Sequence, residues 1–283
     1  MAQNLRILAV NAHPHDFTHY AGPLGIHTSL GDQVTVVSMT TGANTHNERL
    51  HDEMMKPAEE RDPGVMAQTE DDYVAVKADE LRAACAVFGI TDVRILGFPQ
   101  PFRIELYPES KEALRDVILD IRPHVMITQS PYFKGPHSEV SGIPDDHDET
   151  AYASMEARGI ASTARPGDTV QPHTIAATYF PGVYFQPREF DFVVDISDWF
   201  DKRVEAEALY RSQGHYPAFA RRRMEVSLGN TGWFAGTMYA EAFVREKAEL
   251  VSKIEVPESA LRRASEPIPD YYRRIIGETA EGD

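Results

Sequence analysis

Apolar residues fall into two kinds of pattern along the chain, and each pattern predicts a type of element. Short unbroken apolar runs have the length of buried strands, and they lie at residues 5–10, 34–39, 93–96 and 125–128. Apolar residues at three- and four-residue spacing predict helices, and these segments lie at residues 20–30, 68–88 and 111–121. Strands that alternate with helices are typical of an α/β protein with a mostly parallel sheet and right-handed crossovers.

The second half of the chain continues this alternation less regularly. Its pattern predicts helices at residues 147–160 and 198–212, and strands at residues 174–179 and 192–196. Residues 214–245 mix aromatic residues with glycines, which predicts a C-terminal cover of helix and loop over the sheet. The tail from Val256 is rich in proline and charge, so we expect it to wrap a neighbouring subunit or to fray.

Composition and charge narrow the possible functions. The 283 residues carry a net charge of −16, which argues against nucleic acid as a partner, and the short basic cluster Arg221–Arg223 is expected on a solvated helix face. The single cysteine, Cys85, excludes an intramolecular disulfide and lies in a predicted apolar stripe, so it is expected in the core. The chain opens without a signal-peptide pattern and has no apolar run near the ~20 residues of a membrane span. We therefore expect a cytoplasmic protein without a membrane partner.

A polar cluster directly follows the first predicted strand. Residues 12–17 read AHPHDF and place His13, His15 and Asp16 at the carboxyl end of that strand. Ligands of open α/β sheets bind at this edge. Two imidazoles and a carboxylate so close together are the side chains that a divalent metal site requires.

A second polar cluster, at residues 144–149, contains Asp146 and His147 at the start of a predicted helix. A catalytic zinc ion takes three protein ligands and keeps one position for water. His13 and Asp16, three residues apart on a turn, together with His147, would make such a set. The alternative is that the histidines are hydrogen-bonded structural residues and that the acidic residues suit the dipole of the helix.

Residues 40–64 are expected to form a long polar loop that leaves the second strand at the same edge of the sheet. The loop contains His46 and Glu48. Long loops in compact domains are usually functional or mobile. This loop is therefore expected to cover the site and to offer His46 and Glu48 as acid or base groups.

These elements and motifs resemble the PIG-L/LmbE-like family of zinc-dependent de-N-acetylases. The residues that carry the resemblance are the motif at residues 12–17, the strand at residues 34–39 and the pair Asp146–His147 at the start of a helix. The order of elements matches over about residues 5–210. The family's two motifs read A-H-P-D-D-E and H-P-D-H.

The resemblance implies a fold, a metal and a set of ligands. The fold is α/β and Rossmann-like, with residues 1–210 as the catalytic domain and residues 211–283 as a cover and tail within the same domain. His13, Asp16 and His147 match the family's ligands for zinc, or another divalent metal. A homo-oligomer is also implied.

The proton-handling positions of the family motifs are changed in this chain. His15 stands in place of the general-base aspartate, Phe17 in place of the glutamate, and Pro144 in place of the oxyanion-stabilising histidine. An imidazole suits proton transfer near neutral pH, so His15 could take the base role. The alternative is that His15 only packs or forms a hydrogen bond at the turn.

Further acid or base candidates are Asp145, Asp146, His46, Glu48 and His137. Asp146 could instead orient one of the ligand histidines through a hydrogen bond.

One branch of the superfamily, the 4-oxalomesaconate hydratases, is similar in its first motif. That branch reads H-x-x-D-F, which residues 13–17 fit better than they fit the deacetylase form. Weaker echoes are Phe185–Pro187 and Asp195–Ser197. A hydratase would hold substrate carboxylates with cationic side chains, and those available are Arg103, Lys134, Arg188 and Arg221–Arg223.

Three hypotheses about function follow. The leading one is a zinc-dependent hydrolase that deacetylates a small soluble substrate, cleaving an amide-type C–N bond through a metal-bound water. The second is a zinc-dependent hydratase of an unsaturated oxo-carboxylic acid in the breakdown of aromatic compounds. The third is a metal-binding protein that has lost catalysis. A nucleotide-binding module is disfavoured because no G-x-G-x-x-G follows the first strand.

Overall fold

The computed structural model describes residues 4–132 and 145–277. Its strands form one seven-stranded sheet in the order β3-β2-β1-β4-β5-β7-β6. The strands are β1 (Arg6–Asn11), β2 (Gln33–Thr40), β3 (Asp92–Phe98), β4 (Val125–Ile127), β5 (Ala177–Pro181), β6 (Phe192–Asp195) and β7 (Ala240–Arg245). The first five run parallel, and β7 pairs antiparallel with both β5 and β6. The mostly parallel α/β sheet expected from the sequence is confirmed.

Helices cover both faces of the sheet, which explains the unbroken apolar runs of its central strands. Ile7 and Ala9 of β1 pack into one hydrophobic cluster, and Leu8 and Val10 pack into another on the opposite face. A strand buried on both faces has no solvent side and therefore no alternation of polar residues.

The helices in the described part of the chain largely follow the predicted periodicity. They are α1 (Ala21–Ser29), α2 (Glu48–Met55), α3 (Pro63–Met66), α4 (Glu70–Val87), α5 (Ser110–Ile121), α6 (Asp146–Ala161), α7 (Phe200–Glu207), α8 (Pro217–Ala235), α9 (Glu258–Ser265) and α10 (Ile268–Ile276). Helix α4 starts at a capping box of Thr69 and Asp72, and Gly89 with φ of 73° follows its end. Cys85 on α4 is fully buried, as its position in the apolar stripe indicated.

Three helical segments differ from the sequence-based expectation. The stretch at residues 40–64, predicted as loop, contains α2 and α3, and the tail beyond Val256 contains α9 and α10. The helix predicted to reach residue 212 ends at Glu207 and continues as a turn. These helices are short or polar, so their apolar spacing is too brief to be read from the sequence.

The largest difference concerns the predicted C-terminal cover. Residues 240–245 form strand β7, which lies between β5 and β6 in the sheet. It pairs antiparallel with both neighbours, although it is the last of the seven strands along the chain. The sequence of this strand, Ala-Glu-Ala-Phe-Val-Arg, shows only a weak alternation of apolar and polar residues. The glycines before it favour a loop interpretation. The division of the chain at residue 210 stays a prediction.

Within residues 4–132 and 145–277, none of the helices combines the length and the apolar character that a membrane crossing would require.

Candidate metal centre

The two polar clusters meet at the carboxyl edge of the sheet, beside β1 and β4. These strands are neighbours, and the chain order reverses there, because β2 and β3 lie on one side of β1 and β4 and β5 on the other. Such a switch point leaves a crevice between the loops that follow the two strands. His13 lies two residues beyond the end of β1, and Gln129 lies two residues beyond the end of β4.

A tight turn after β1 brings His13 and Asp16 together. Residues Pro14–His19 form a short 3₁₀ helix, and Pro14 at its first position suits the fixed φ of proline. The backbone N–H of His13 donates to Asp16 Oδ2 at 2.9 Å. As a result, His13 Nδ1 lies 3.7 Å from the same carboxylate oxygen.

The second cluster reaches this turn from the start of α6. Asp145 caps the helix by accepting hydrogen bonds from the backbone N–H groups of His147 at 2.9 Å and Asp148 at 3.1 Å. The cap orients the first turn so that His147 Nε2 lies 3.4 Å from Asp16 Oδ1. The rings of His13 and His147 are 4.8 Å apart, edge to face. The structure thus brings the three predicted ligands into one cluster around Asp16.

His15 also lies in this cluster. Its Nε2 is 3.3 Å from Asp16 Oδ1, and its ring stacks on that of His13 at 5.5 Å. One ligand-type atom from each of His13, His15 and Asp16 lies within 4.8 Å of the others, a spacing that could hold a metal ion. His15 is therefore close enough to serve either as a proton acceptor or as a further ligand of a metal ion.

The burial of these groups fits a divalent cation. Asp16 is fully buried, and His13 is 4% exposed. The Nδ1 atoms of His13 and His15 are buried and have no hydrogen-bond partner in the protein. Buried polar atoms are normally paired, and imidazole nitrogens beside a carboxylate are the donors that zinc prefers.

The charges in the cluster are strongly coupled. Burial disfavours the charge of Asp16, but the neighbouring His147 and His15 outweigh it and hold the pKa of the carboxyl well below its usual range. Burial likewise lowers the pKa of His147, but Asp16 and Asp145 raise it to about 10. A metal binds neutral imidazole, so a cation at this position would compete with the proton on His147.

Asp146 contacts the ring of His13 and is itself held by several donors. Its Oδ2 lies 3.0 Å from His13 Nε2 and accepts from Gln100 Nε2 at 2.8 Å, while its Oδ1 accepts from the backbone N–H of Phe102 at 2.8 Å and from Arg103 at 3.4 Å. The carboxylate is therefore occupied on both oxygens. This arrangement supports the orienting role for Asp146 that the sequence left as an alternative.

His46 and Glu48 lie one step further out. The ring of His46 meets that of His15 edge to face at 5.1 Å, and His46 Nδ1 pairs with Glu48 Oε1 at 2.9 Å. His46 has a positive φ of 56°, and the hydroxyl of Tyr73 donates to its carbonyl at 2.5 Å. The side chains of His46 and Glu48 are 43% and 44% exposed, so a partly exposed pair lies beside the buried ring of His15.

Several side chains at the centre were not found from the sequence. Gln129 Nε2 donates to Asp16 Oδ2 at 3.3 Å. The ring of Tyr184 lies 5.9 Å from that of His147, and its hydroxyl is 3.3 Å from His19 Nδ1. Gln129 directly follows a predicted strand, which was a usable signal, whereas nothing local to Tyr184 marks it.

The cationic residues proposed for substrate carboxylates are spread widely. Arg103 contacts Asp146, while Arg221 pairs with Asp201 and Arg223 pairs with Glu207, and neither of these two pairings includes a proposed ligand. Arg222 and Arg188 are exposed. Lys134, His137 and Pro144 lie outside the described residues.

A buried cluster of histidines and a carboxylate at the switch point of a mostly parallel sheet places this chain among α/β proteins with a candidate metal site at that edge. The model of the PIG-L family, described as GlcNAc-PI de-N-acetylase, matches residues 8–158, just over half of the chain. The chain belongs to the PIG-L family.

Curated relatives share part of the chain. The 1D-myo-inositol 2-acetamido-2-deoxy-alpha-D-glucopyranoside deacetylase of Actinosynnema mirum is 30% identical over 141 residues, which are 44% of this chain and 46% of the relative. The enzyme of the same description from Thermobispora bispora is 29% identical over 202 residues, 65% of this chain and 60% of the relative. The chain thus spans about half to three fifths of the length of these relatives.

Solved structures share the fold over most of the chain. GalB, the 4-carboxy-2-hydroxymuconate hydratase from Pseudomonas putida, superposes with a TM-score of 0.70 at 20% identity, covering 89% of this chain and all of that one. The N,N'-diacetylchitobiose deacetylase from Pyrococcus horikoshii gives a TM-score of 0.64 at 16% identity, covering 94% of this chain and 88% of that one. At such identities the likeness concerns the fold alone.

Proposed function

We propose that the chain is a metal-dependent N-deacetylase that hydrolyses the acetamido group of a small-molecule substrate. The observation that carries the proposal is the contact of Asp16 with His13 and, from a segment 131 residues away, with His147. The buried Nδ1 of His13, which forms no hydrogen bond in the protein and lies 3.7 Å from Asp16 Oδ2, supports a metal among these side chains. Membership of the PIG-L family and relatives named as deacetylases of an acetamido sugar support the reaction.

In this proposal His13, Asp16 and His147 hold zinc, or another divalent ion. When bound, such an ion supplies Lewis acidity to a water molecule and to the acetyl carbonyl. Asp146 fixes the ring of His13 through Nε2, which leaves Nδ1 of that ring directed toward Asp16.

His15 is the proposed proton acceptor. Burial lowers its pKa well below the ordinary value, although Asp16 opposes this, so the resting imidazole is neutral and keeps a nitrogen lone pair that can accept a proton. The water oxygen bonds to the acetyl carbon, its proton passes to His15, and that proton then reaches the nitrogen as the C–N bond breaks. Acetic acid and a primary amine leave, and the acid then releases its remaining proton to solvent. His46, whose ring contacts that of His15 edge to face, and its partner Glu48 stay the further proposed acid or base groups beside His15.

The test combines metal analysis with an amine-release assay. Purified protein should contain about one divalent ion per chain, and His13→Ala should lose it. The metal-loaded protein should release primary amine from N-acetylglucosamine conjugates, including an inositol conjugate. A native protein that takes up no divalent ion, or a loaded protein that releases no amine from any of them, would overturn the proposal.

A hydratase of an unsaturated oxo-carboxylic acid is the second candidate. It is favoured by the fold shared with GalB and by Phe17, which completes the H-x-x-D-F form of the first motif. Arg103, which contacts Asp146 at 3.4 Å, is the proposed cation for a substrate carboxylate. Loss of the absorbance of a conjugated oxo-acid, without amine release in the first assay, would select this function. Activity in neither assay would favour the metal-binding protein without catalysis and would not prove it.

The substrate in each case is a small molecule. A homo-oligomer and a cytoplasmic location stay predictions. The exposed aromatic residues Phe219, Trp233 and Phe234 of α8 support the oligomer, which size-exclusion chromatography with light scattering would test.

A further inference from the structure

The turn that carries Asp16 is held at both ends by side chains from the C-terminal part of the chain. At one end, the hydroxyl of Tyr210 donates to the carbonyl of Pro14 at 3.1 Å. At the other end, Arg203 Nη2 donates to the carbonyl of Thr18. Both side chains come from beyond residue 158, where the match to the family ends.

Arg203 is fixed in place before it reaches the turn. It is 3% exposed, its Nε donates to Glu241 Oε1 at 2.8 Å, and its Nη1 donates to Glu207 Oε2 at 3.0 Å. Two carboxylates thus balance its charge and set the plane of the guanidinium group. Glu241 also accepts from the backbone N–H of Gly22 at 3.2 Å, so the same network holds the start of α1 just after the turn.

Tyr210 is fully buried in the hydrophobic cluster that also contains Phe17 and Tyr20. Its ring is therefore fixed by packing, and its hydroxyl meets the Pro14 carbonyl between His13 and His15. A buried carbonyl that loses its donor is costly, because no water replaces the lost hydrogen bond. Because Pro14 lies next to His13 and Thr18 lies two residues after Asp16, the two hydrogen bonds lie on either side of Asp16, and one of them is adjacent to His13.

We propose that Arg203 and Tyr210 are positioning residues that preorganise the metal centre by fixing the turn at residues 14–19. This inference rests on the proposed metal site and adds residues that contact neither metal nor substrate. Donors must lie within a few tenths of an ångström of the geometry that an ion requires. Loss of either hydrogen bond would therefore weaken metal binding, even in a variant that still folds.

Tyr210→Phe is the sharper test, because it removes one hydroxyl and keeps the packed ring. We expect the dissociation constant for Zn²⁺, measured by competition with a chromophoric chelator, to rise about five- to tenfold, the effect of one lost hydrogen bond. The visible absorption bands of the Co²⁺-loaded protein should also shift, because they report the donor geometry. Arg203→Lys keeps the charge between two carboxylates but cannot replace the planar fork, and should weaken binding in the same direction.

Tyr73→Phe is the matched control. Tyr73 is 3% exposed, and its hydroxyl likewise donates to backbone carbonyls, those of Thr45 and His46 at 3.2 and 2.5 Å. None of its partners is a proposed ligand, so Zn²⁺ affinity and the Co²⁺ spectrum should match those of the wild type.

The outcomes separate the two proposals. A wild-type protein that binds no divalent metal would overturn the proposed function. A wild type that binds metal, with Tyr210→Phe and Tyr73→Phe binding equally well, would overturn the positioning role alone. A lower unfolding temperature in Tyr210→Phe with unchanged Zn²⁺ affinity would also overturn it, because the hydroxyl would then only stabilise the fold.

Discussion

Asp146 and His13, which are 133 residues apart in the sequence, are joined by a contact of 3.0 Å between Oδ2 and Nε2. The carboxylate is itself anchored, because Gln100 and the backbone N–H of Phe102 donate to it at 2.8 Å each. A histidine held in this way presents its other nitrogen in one direction and in one tautomer. In metal centres such outer partners affect affinity strongly.

Replacement of the carboxylate should therefore weaken the metal centre without removing a ligand. In the wild type, Gln100 and the backbone N–H of Phe102 donate to different oxygens of Asp146. The amide of Asp146→Asn has only one oxygen that can accept. We expect the Zn²⁺ dissociation constant to rise about 10–100-fold, as measured by competition titration. Asp201→Asn, at a carboxylate that is 84% exposed, is the control and should bind like the wild type. Equal affinities for the two variants would exclude the orienting role.

How much of this centre the sequence predicts depends on distance along the chain. His13 and Asp16 share one short turn, and Asp146 and His147 share one helix start, so each pair can be recognised locally. Their partner Gln100 gives no such signal, because its role arises only when the loop after β3 meets the start of α6. Contacts of this kind depend on tertiary packing, which periodicity does not encode.

The same reason explains the errors in the predicted fold. The parallel core could be read from its apolar runs, because strands buried on both faces have an unmistakable composition. Strand β7 is buried chiefly because it pairs with β5 and β6, two strands that precede it by some fifty residues. Its position between β5 and β6 depends on those two partners and not on its own pattern of apolar residues.

Lys77 should give the folded protein an unusual stability profile at alkaline pH. The side chain is 1% exposed, and burial lowers its pKa to about 8, although nearby carboxylates, Glu80 first among them, oppose this. Between pH 8 and its ordinary pKa of about 10.4 the unfolded chain binds more protons, so the free energy of unfolding from this group rises with pH. The rise should approach about 3 kcal/mol, since each pKa unit corresponds to about 1.4 kcal/mol.

Chemical denaturation at several pH values would check this, with Lys77→Met as the comparison. The variant shares every other titrating group, so the difference between the two profiles isolates Lys77. Parallel profiles from pH 8 to about pH 10 would mean that the ammonium group is hydrated in the folded protein.

Two helical glycines should respond to alanine in opposite directions. At Gly232 in α8, an added Cβ would lie 2.6 Å from the carbonyl oxygen of Met238, a backbone atom that cannot move aside cheaply. At Gly159 in α6, an added Cβ would meet nothing within 4 Å. We expect Gly232→Ala to lose about 1–3 kcal/mol of unfolding free energy and Gly159→Ala to gain about 0.5–1 kcal/mol. Urea titrations would measure both, and a stabilised Gly232→Ala would contradict the close packing of α8 on the segment before β7.

The last prediction concerns His15, which stands where the family has an aspartate. If His15 accepts the proton, His15→Ala should lower kcat for deacetylation about 100- to 10,000-fold and keep its metal, because the three proposed ligands remain. His15→Asp puts a carboxylate at the same position, close to the proposed ligands, and should recover most of that loss. Metal analysis beside the kinetic assay separates the two roles that the geometry allows. Since His15 Nε2 lies 3.3 Å from Asp16 Oδ1, loss of metal in His15→Ala would identify a further ligand and not a base. Full activity in His15→Ala would exclude both roles and leave the imidazole as a packing group at the turn.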